Sequence, residues 1–306
     1  MRTHNEKAWF LFIAFLGLGF HPLFCAEPGT AQRRIAFARD SMIWTANADG
    51  TEVRKLIKGA DPNISPDGTK VAFTMSPSGG KQVLRYIAVA DVATGGTKVF
   101  KATPSNNSFG PVWSPDGSHI LFEIFVENHW RLGLVNADGS EFRFFKMPSL
   151  DLGWWSVIWA PDAQSIFCQD LEKIYQFSVD GGLLVSWEIS KVIPHGDMDS
   201  SKRLSISADG KRLLINVNMD EEASLKDWEG PPPAIWLFDI RSAKATRLTP
   251  KKSYASDSCW LGAADFLFVD ADKQGKTNSI YRASIDGWTP RLLIRNAANP
   301  SVSSSQ

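Results

Sequence analysis

This sequence of 306 residues predicts an all-β fold, a six-bladed β-propeller of four-stranded antiparallel blades closed by the C-terminal strand joining the N-terminal blade. Three observations predict it. A phrase of the form apolar run, Ser-Pro-Asp-Gly, apolar run recurs along the chain. A second hairpin phrase alternates with the first. The two chain ends are complementary, since one lacks a strand that the other can supply.

The first phrase is clearest in "FGPVWSPDGSHILFE", Phe109 to Glu123. It returns as "PNISPDGTKVAFT", "SVIWAPDAQSIFC", "RLSISADGKRLLIN" and "DSCWLGAADFLFV". Aligning Ser65, Ser114, Ala160, Ser207 and Leu261 gives steps of 49, 46, 47 and 54 residues, the period of a blade. Proline presets φ for a turn, aspartate bonds back to the local backbone, and glycine accepts positive φ, so each phrase folds into a hairpin. Between them lie "MIWTANADGTEVRKLI", "RYIAVADVATGGTKVF", "WRLGLVNADGSEFRFF", "KIYQFSVDGGLLVSW", "AIWLFDIRSAKATRL" and "SIYRASIDGWTPRLLI". Each holds two strand-length apolar runs around a turn signal. Two hairpins make one blade, and six second phrases make six blades. The first blade has no inner strand before "RRIAFARD", whereas the C-terminus has a spare one, "NPSVSSS". Placing the spare strand in the first blade leaves no open edge.

The N-terminus reads differently. Arg2 and Lys7 precede the apolar run Ala8 to Phe20, followed by Pro22 and a small-residue stretch, which marks residues 1–26 as a secretory signal peptide with cleavage as late as residue 31. Thirteen apolar residues are too few for a stable membrane span. One propeller domain, residues 33–306, is expected to follow, in the periplasm or outside the cell. The 33 basic and 33 acidic residues cancel, which gives nucleic-acid binding no global support. Cys168 and Cys259 fall in blades four and six, too far apart for a bridge, and are expected to be free buried thiols.

"W-S-P-D-G" before an apolar strand, together with "A-D-G-T", resembles the repeat of TolB-like β-propellers, the WD-like repeats of bacterial secreted and periplasmic proteins. The resemblance runs from about Arg33 to Ser303. It implies a scaffold that recognises a protein or peptide, such as an envelope lipoprotein. TolB carries an α/β domain ahead of its propeller; that domain is expected to be lacking here. Fold alone does not fix function, which resides in the site the fold carries.

Both turn motifs join strands on one face, which makes the opposite face, with its variable connections, the place to look for function. Its richest segments are "SLDLGWWS" with Trp154 and Trp155, "VIPHGDMDSSK" with His195, Asp197 and Asp199, and "NMDEEASLKDWEGPPPA" with Asp220, Glu221, Glu222 and Trp228. Aromatic residues beside acids suit a peptide or a sugar. Trp113, Trp159 and Trp260 are expected to pack between blades. Asp270 and Asp272 open a calcium-like loop, but its twelfth position is Tyr281, where the bidentate Glu belongs. No other metal or cofactor motif occurs, nor does G-x-S-x-G, H-E-x-x-H or C-x-x-C.

A monomeric, non-catalytic scaffold without a cofactor is therefore the expectation. The alternative is a carbohydrate-active propeller, lyase or hydrolase, which needs two carboxyls facing one cavity. An accessory propeller of the prolyl-peptidase kind would need a hydrolase domain after Gln306.

Overall fold

The computed structural model describes residues 33–77, 84–147, 153, 155–201, 203–223, 225, 228–251, 253–271 and 277–304. The expected signal peptide lies outside these residues, as do Trp154 and Asp272. Six antiparallel sheets form the ring. Blade one holds β1 (Arg34–Arg39), β2 (Met42–Asn47) and β3 (Arg54–Lys58). Blade two runs from β4 (Ala60–Ile64) through β5 (Lys70–Met75) and β6 (Tyr86–Asp91) to β7 (Thr97–Val99). Blade three holds β8 (Ser108–Trp113), β9 (His119–Val126), β10 (His129–Asn136) and β11 (Arg143–Phe144). Blade four has β12 (Trp155–Trp159), β13 (Ser165–Gln169), β14 (Lys173–Ser178) and β15 (Leu183–Glu188), after which comes the short helix α1 (Ile189–Val192).

Blade five departs from the pattern, because its inner strand is split into β16 (Gly196–Asp197) and β17 (Leu204–Ile206), both paired with β18 (Arg212–Met219). Its outer strands are β19 (Pro233–Asp239) and β20 (Lys244–Arg247). Blade six contains β21 (Ser256–Trp260), β22 (Asp265–Ala271), β23 (Asn278–Ser284) and β24 (Gly287–Ile294). The last strand, β25 (Ala298–Val302), pairs antiparallel with β1 and becomes the inner strand of blade one. The ring is thus closed as the complementary ends require.

Side-chain hydrogen bonds explain why the motif turns form. Ser65 Oγ donates to Asp67 Oδ1 at 2.6 Å, and the Lys70 amide donates to Ser65 Oγ at 2.9 Å. Gly68 takes φ of +70° and its amide donates to the Ser65 carbonyl. Ser114 with Asp116, and Ser207 with Asp209, repeat the bonds. At the ring closure the Arg34 amide donates to Ser303 Oγ at 2.9 Å. Ser303 therefore does what Ser65 does, although the two partners come from opposite chain ends.

The core is divided rather than central. Among the described residues each of six apolar clusters draws on two adjacent blades, and one of them joins blade six to blade one through Leu267, Ile280, Ile35 and Phe37. Phe37, Phe73, Phe122, Phe167 and Phe238 are among the largest fully buried side chains. Each contributes about 2–3 kcal/mol by leaving water. Trp113, Trp159 and Trp260 are buried at blade junctions, as expected. Trp113 Nε1 donates to the Asn63 carbonyl and Trp260 Nε1 to that of Ser205, each on the preceding blade. Cys168 is buried and free; Cys259 is also free but keeps partial exposure.

Candidate binding site at the channel mouth

Six residues stand at one equivalent position, four before the motif serine or its counterpart on each inner strand: Asp61, Gly110, Ser156, Arg203, Asp257 and Asn299. In five of them φ is positive, between +48° and +62°, and the register with the next strand slips at the same point. Each such slip is a β-bulge, which turns the strand end away from its partner and re-aims the side chain. Arg203, beside the split strand of blade five, is the exception. Its Nη2 lies 3.5 Å from Asp61 Oδ1. Blades two and five stand opposite one another in a six-membered ring, so this ion pair spans the central channel.

Beside that pair is a buried acid. Glu123 on β9 is 5% exposed, and its Oε2 has no hydrogen-bond partner. Burial pushes its carboxyl up to about 8, and the charge of Asp61 adds to the rise; the Ser156 amide, Arg203 and Arg85 oppose it. The group is therefore mainly a neutral carboxylic acid at pH 7.

Aromatic side chains cluster next to it, starting from Phe109, the register partner of Glu123 on β8. The β9–β10 hairpin closes through Glu127 and Asn128, both at positive φ, as a two-residue type I′ turn requires. That register sets Phe125 opposite Trp130. The Trp130 ring centroid lies 5.1 Å from Phe109, 5.0 Å from Phe125 and 5.8 Å from Trp155. The Arg85 guanidinium, just ahead of β6, sits 4.5 Å from the Phe109 centroid and 5.6 Å from that of Trp130. Arg85 Nε donates to Asn107 Oδ1 at 2.8 Å. Among the described residues its terminal nitrogens have no hydrogen-bond or ion-pair partner.

Of the residues singled out in the sequence, Trp155 lies in this wall. His195 and Asp197 are exposed on the segment leading into blade five, with His195 at φ +60°. Asp199 accepts from the Ser201 amide at 2.7 Å and from Asn218 Nδ2 at 2.9 Å, which orders its own turn. Asp220 and Glu222 are exposed, whereas Glu221 is 2.6 Å from Arg247 in a largely buried pair. Trp228 packs on Tyr254 with centroids 4.4 Å apart. Asp270 accepts from the Tyr254 amide and from Ser253 Oγ, so it braces a loop. The described residues contain no group of three or more His, Cys, Asp or Glu placed to hold a metal.

Asp61, Arg85, Glu123 and Arg203 escaped the sequence reading. Glu123 alone left a signal, as an acid inside the apolar run "HILFEIFV".

No family model matches the chain. It is 23% identical over 243 residues, 75% of its length, to an uncharacterized peptidase of Bacillus subtilis (strain 168), YuxL, of which it spans 33%. It is 32% identical over 126 residues, 38% of its length, to the Tol-Pal system protein TolB of Anaeromyxobacter dehalogenans (strain 2CP-C), of which the match spans 27%. The chain thus spans about a third or less of these curated relatives. The crystal structure of TolB from Acinetobacter baumannii matches 91% of this chain and 68% of that one, at 18% identity and a TM-score of 0.65. Oligogalacturonate lyase from Vibrio parahaemolyticus matches 84% of this chain and 75% of that one, at 15% identity and a TM-score of 0.55. At such identities the solved structures speak for the fold. With its Ser-Pro-Asp-Gly hairpins, its six blades and its closure by β25, the chain is a TolB-like six-bladed β-propeller.

Proposed function

We propose that the chain is a non-catalytic scaffold that holds a protein or peptide partner at the long-loop face, in the periplasm or outside the cell after removal of residues 1–26. The observation that carries this reading is the aromatic mouth of Phe109, Phe125, Trp130 and Trp155 around Arg85. Aromatic and arginine anchors are the side chains that dominate protein interfaces. Likeness to TolB supports a protein partner, and an envelope lipoprotein is the class that the resemblance implies. Among the described residues no helix is long and apolar enough to cross a membrane.

The test is a photo-crosslinking residue at Phe125, with one at Thr69 on the opposite face as control, both in the native envelope. A single protein adduct at Phe125, missing at Thr69 and lost with Trp130→Ala, is the expected result. Identical adducts at both positions would sink the proposal.

One observation favours a second reading, carbohydrate chemistry. Glu123, kept protonated, and Asp61 interact electrostatically beside one channel, as an acid and its companion would. Turnover of an oligosaccharide that disappears in Glu123→Gln is the result that would select it.

A further inference from the structure

Among the described residues, two polar groups near the mouth of the channel, on Arg85 and Glu123, lack a hydrogen-bond partner. Arg85 is fixed at Nε by Asn107 and lies against the rings of Phe109 and Trp130, and among the described residues its terminal nitrogens have no partner. Such an edge matches the two oxygens of a carboxylate. Glu123 has a buried oxygen with no partner, although buried polar groups in folded proteins are almost always hydrogen-bonded. The two residues interact electrostatically although they come from different blades. Arg203 is already engaged with Asp61 and is not free to compensate an incoming charge.

We propose that this mouth is a carboxylate subsite, in which Arg85 holds the free C-terminal carboxylate of a peptide whose apolar last side chain lies against Phe109, Trp130 and Trp155, with the buried Glu123 setting the local charge. This deepens the scaffold reading and rests on it.

The carboxylate takes two charge-assisted hydrogen bonds from the terminal nitrogens of Arg85, and the buried Glu123 nearby, while protonated, adds no repelling charge. An end-on C-terminus fits better than an internal acidic side chain, because the aromatic wall adjoins the donor edge and a C-terminal residue carries its apolar side chain on the carbon next to the carboxylate. The groups that face Glu123 are Asp61 from β4, Arg85 ahead of β6, the Ser156 amide from β12, Cys168 from β13 and Arg203 ahead of β17. Burial pushes the Cys168 thiol well up, away from the range in which Glu123 titrates. Loss of the Glu123 proton introduces a repelling charge, so binding should weaken as pH rises through about 8.

The probes are N-acetylphenylalanine and N-acetylphenylalaninamide, titrated into the mature protein to 20 mM and followed by tryptophan fluorescence and calorimetry. The acid should bind at least 10-fold more tightly than the amide, as expected when a charge-assisted hydrogen-bond pair is lost. Arg85→Gln should lose the same factor, and Glu123→Gln should flatten the dependence on pH between 7 and 9. Equal binding of acid and amide overturns the proposal, as does an unaltered acid affinity in Arg85→Gln or the absence of binding at 20 mM. Digalacturonate that binds through Arg85 while N-acetylphenylalanine does not also overturns it, and moves the site to the carbohydrate reading. A protein adduct at Phe125 with no preference for the acid keeps the scaffold reading and removes this one alone.

Discussion

Replacing Glu123 with glutamine tests the energetics of the channel wall directly. Glutamine has the shape of the protonated acid and keeps an oxygen for the Ser156 amide, but it cannot ionise. In the folded protein Glu123 titrates at about 8, against 4.5 in the ordinary carboxyl. At about 1.4 kcal/mol for each pH unit, the difference amounts to an upper bound of about 5 kcal/mol for charging the buried group. Below pH 4.5 both the folded and the unfolded chain hold the proton, and the full contribution is present. Between 4.5 and about 8 only the unfolded chain releases it, so wild-type stability declines steadily; above 8 the loss is complete. Glu123→Gln lacks this decline. Its advantage over wild type should grow from near zero at pH 4.5 to several kcal/mol at pH 8.5, a large share of the 5–15 kcal/mol typical of a domain. Urea unfolding followed by tryptophan fluorescence, at half-unit steps of pH, measures it. Parallel stability curves for the two proteins from pH 5 to 8.5 would show that Glu123 ionises without cost, and the burial argument would fall.

Three further outcomes are expected. Gly139→Ala should lower stability by about 2 kcal/mol in thermal unfolding, because φ there is +80° and a Cβ would stand 2.3 Å from the Phe100 ring. Deleting residues 298–306 removes the inner strand of blade one and the Ser303 bond to Arg34, so circular dichroism melts should lose their single cooperative step. On the acid side, Asp67 and Asp116 lie below the ordinary carboxylate range: burial pushes them up, but hydrogen bonds from Ser65 and Thr69, and from Ser114 and Ser118, outweigh it. Their stabilisation is present above pH 3.8 and is lost as pH falls through the depressed values, so Asp67→Asn with Asp116→Asn should blunt acid unfolding below pH 4.

What the sequence determined by itself was the architecture. Turn residues, strand length and alternation are local properties; Ser-Pro-Asp-Gly folds its hairpin through Ser65 and Asp67, two residues apart, whatever lies elsewhere. Repetition of that local code fixed the blade count, and the mismatch of the two ends announced the closure by β25. Trp155 was legible too, as one of a tryptophan pair ahead of an inner strand. Tertiary structure alone decided the channel mouth. Asp61, Arg85, Glu123 and Arg203 stem from three blades, and each looks like an ordinary polar residue in its own segment. Only the closed ring brings Arg203 across to Asp61 and sets a buried acid within the electrostatic reach of both arginines. The acids that stood out in the sequence, Asp199 and Glu221, are instead engaged by Asn218 and Arg247 on neighbouring strands of their own blade. Local hydrogen bonding writes a fold into short stretches of chain, whereas a site depends on charge and burial summed over residues far apart in it.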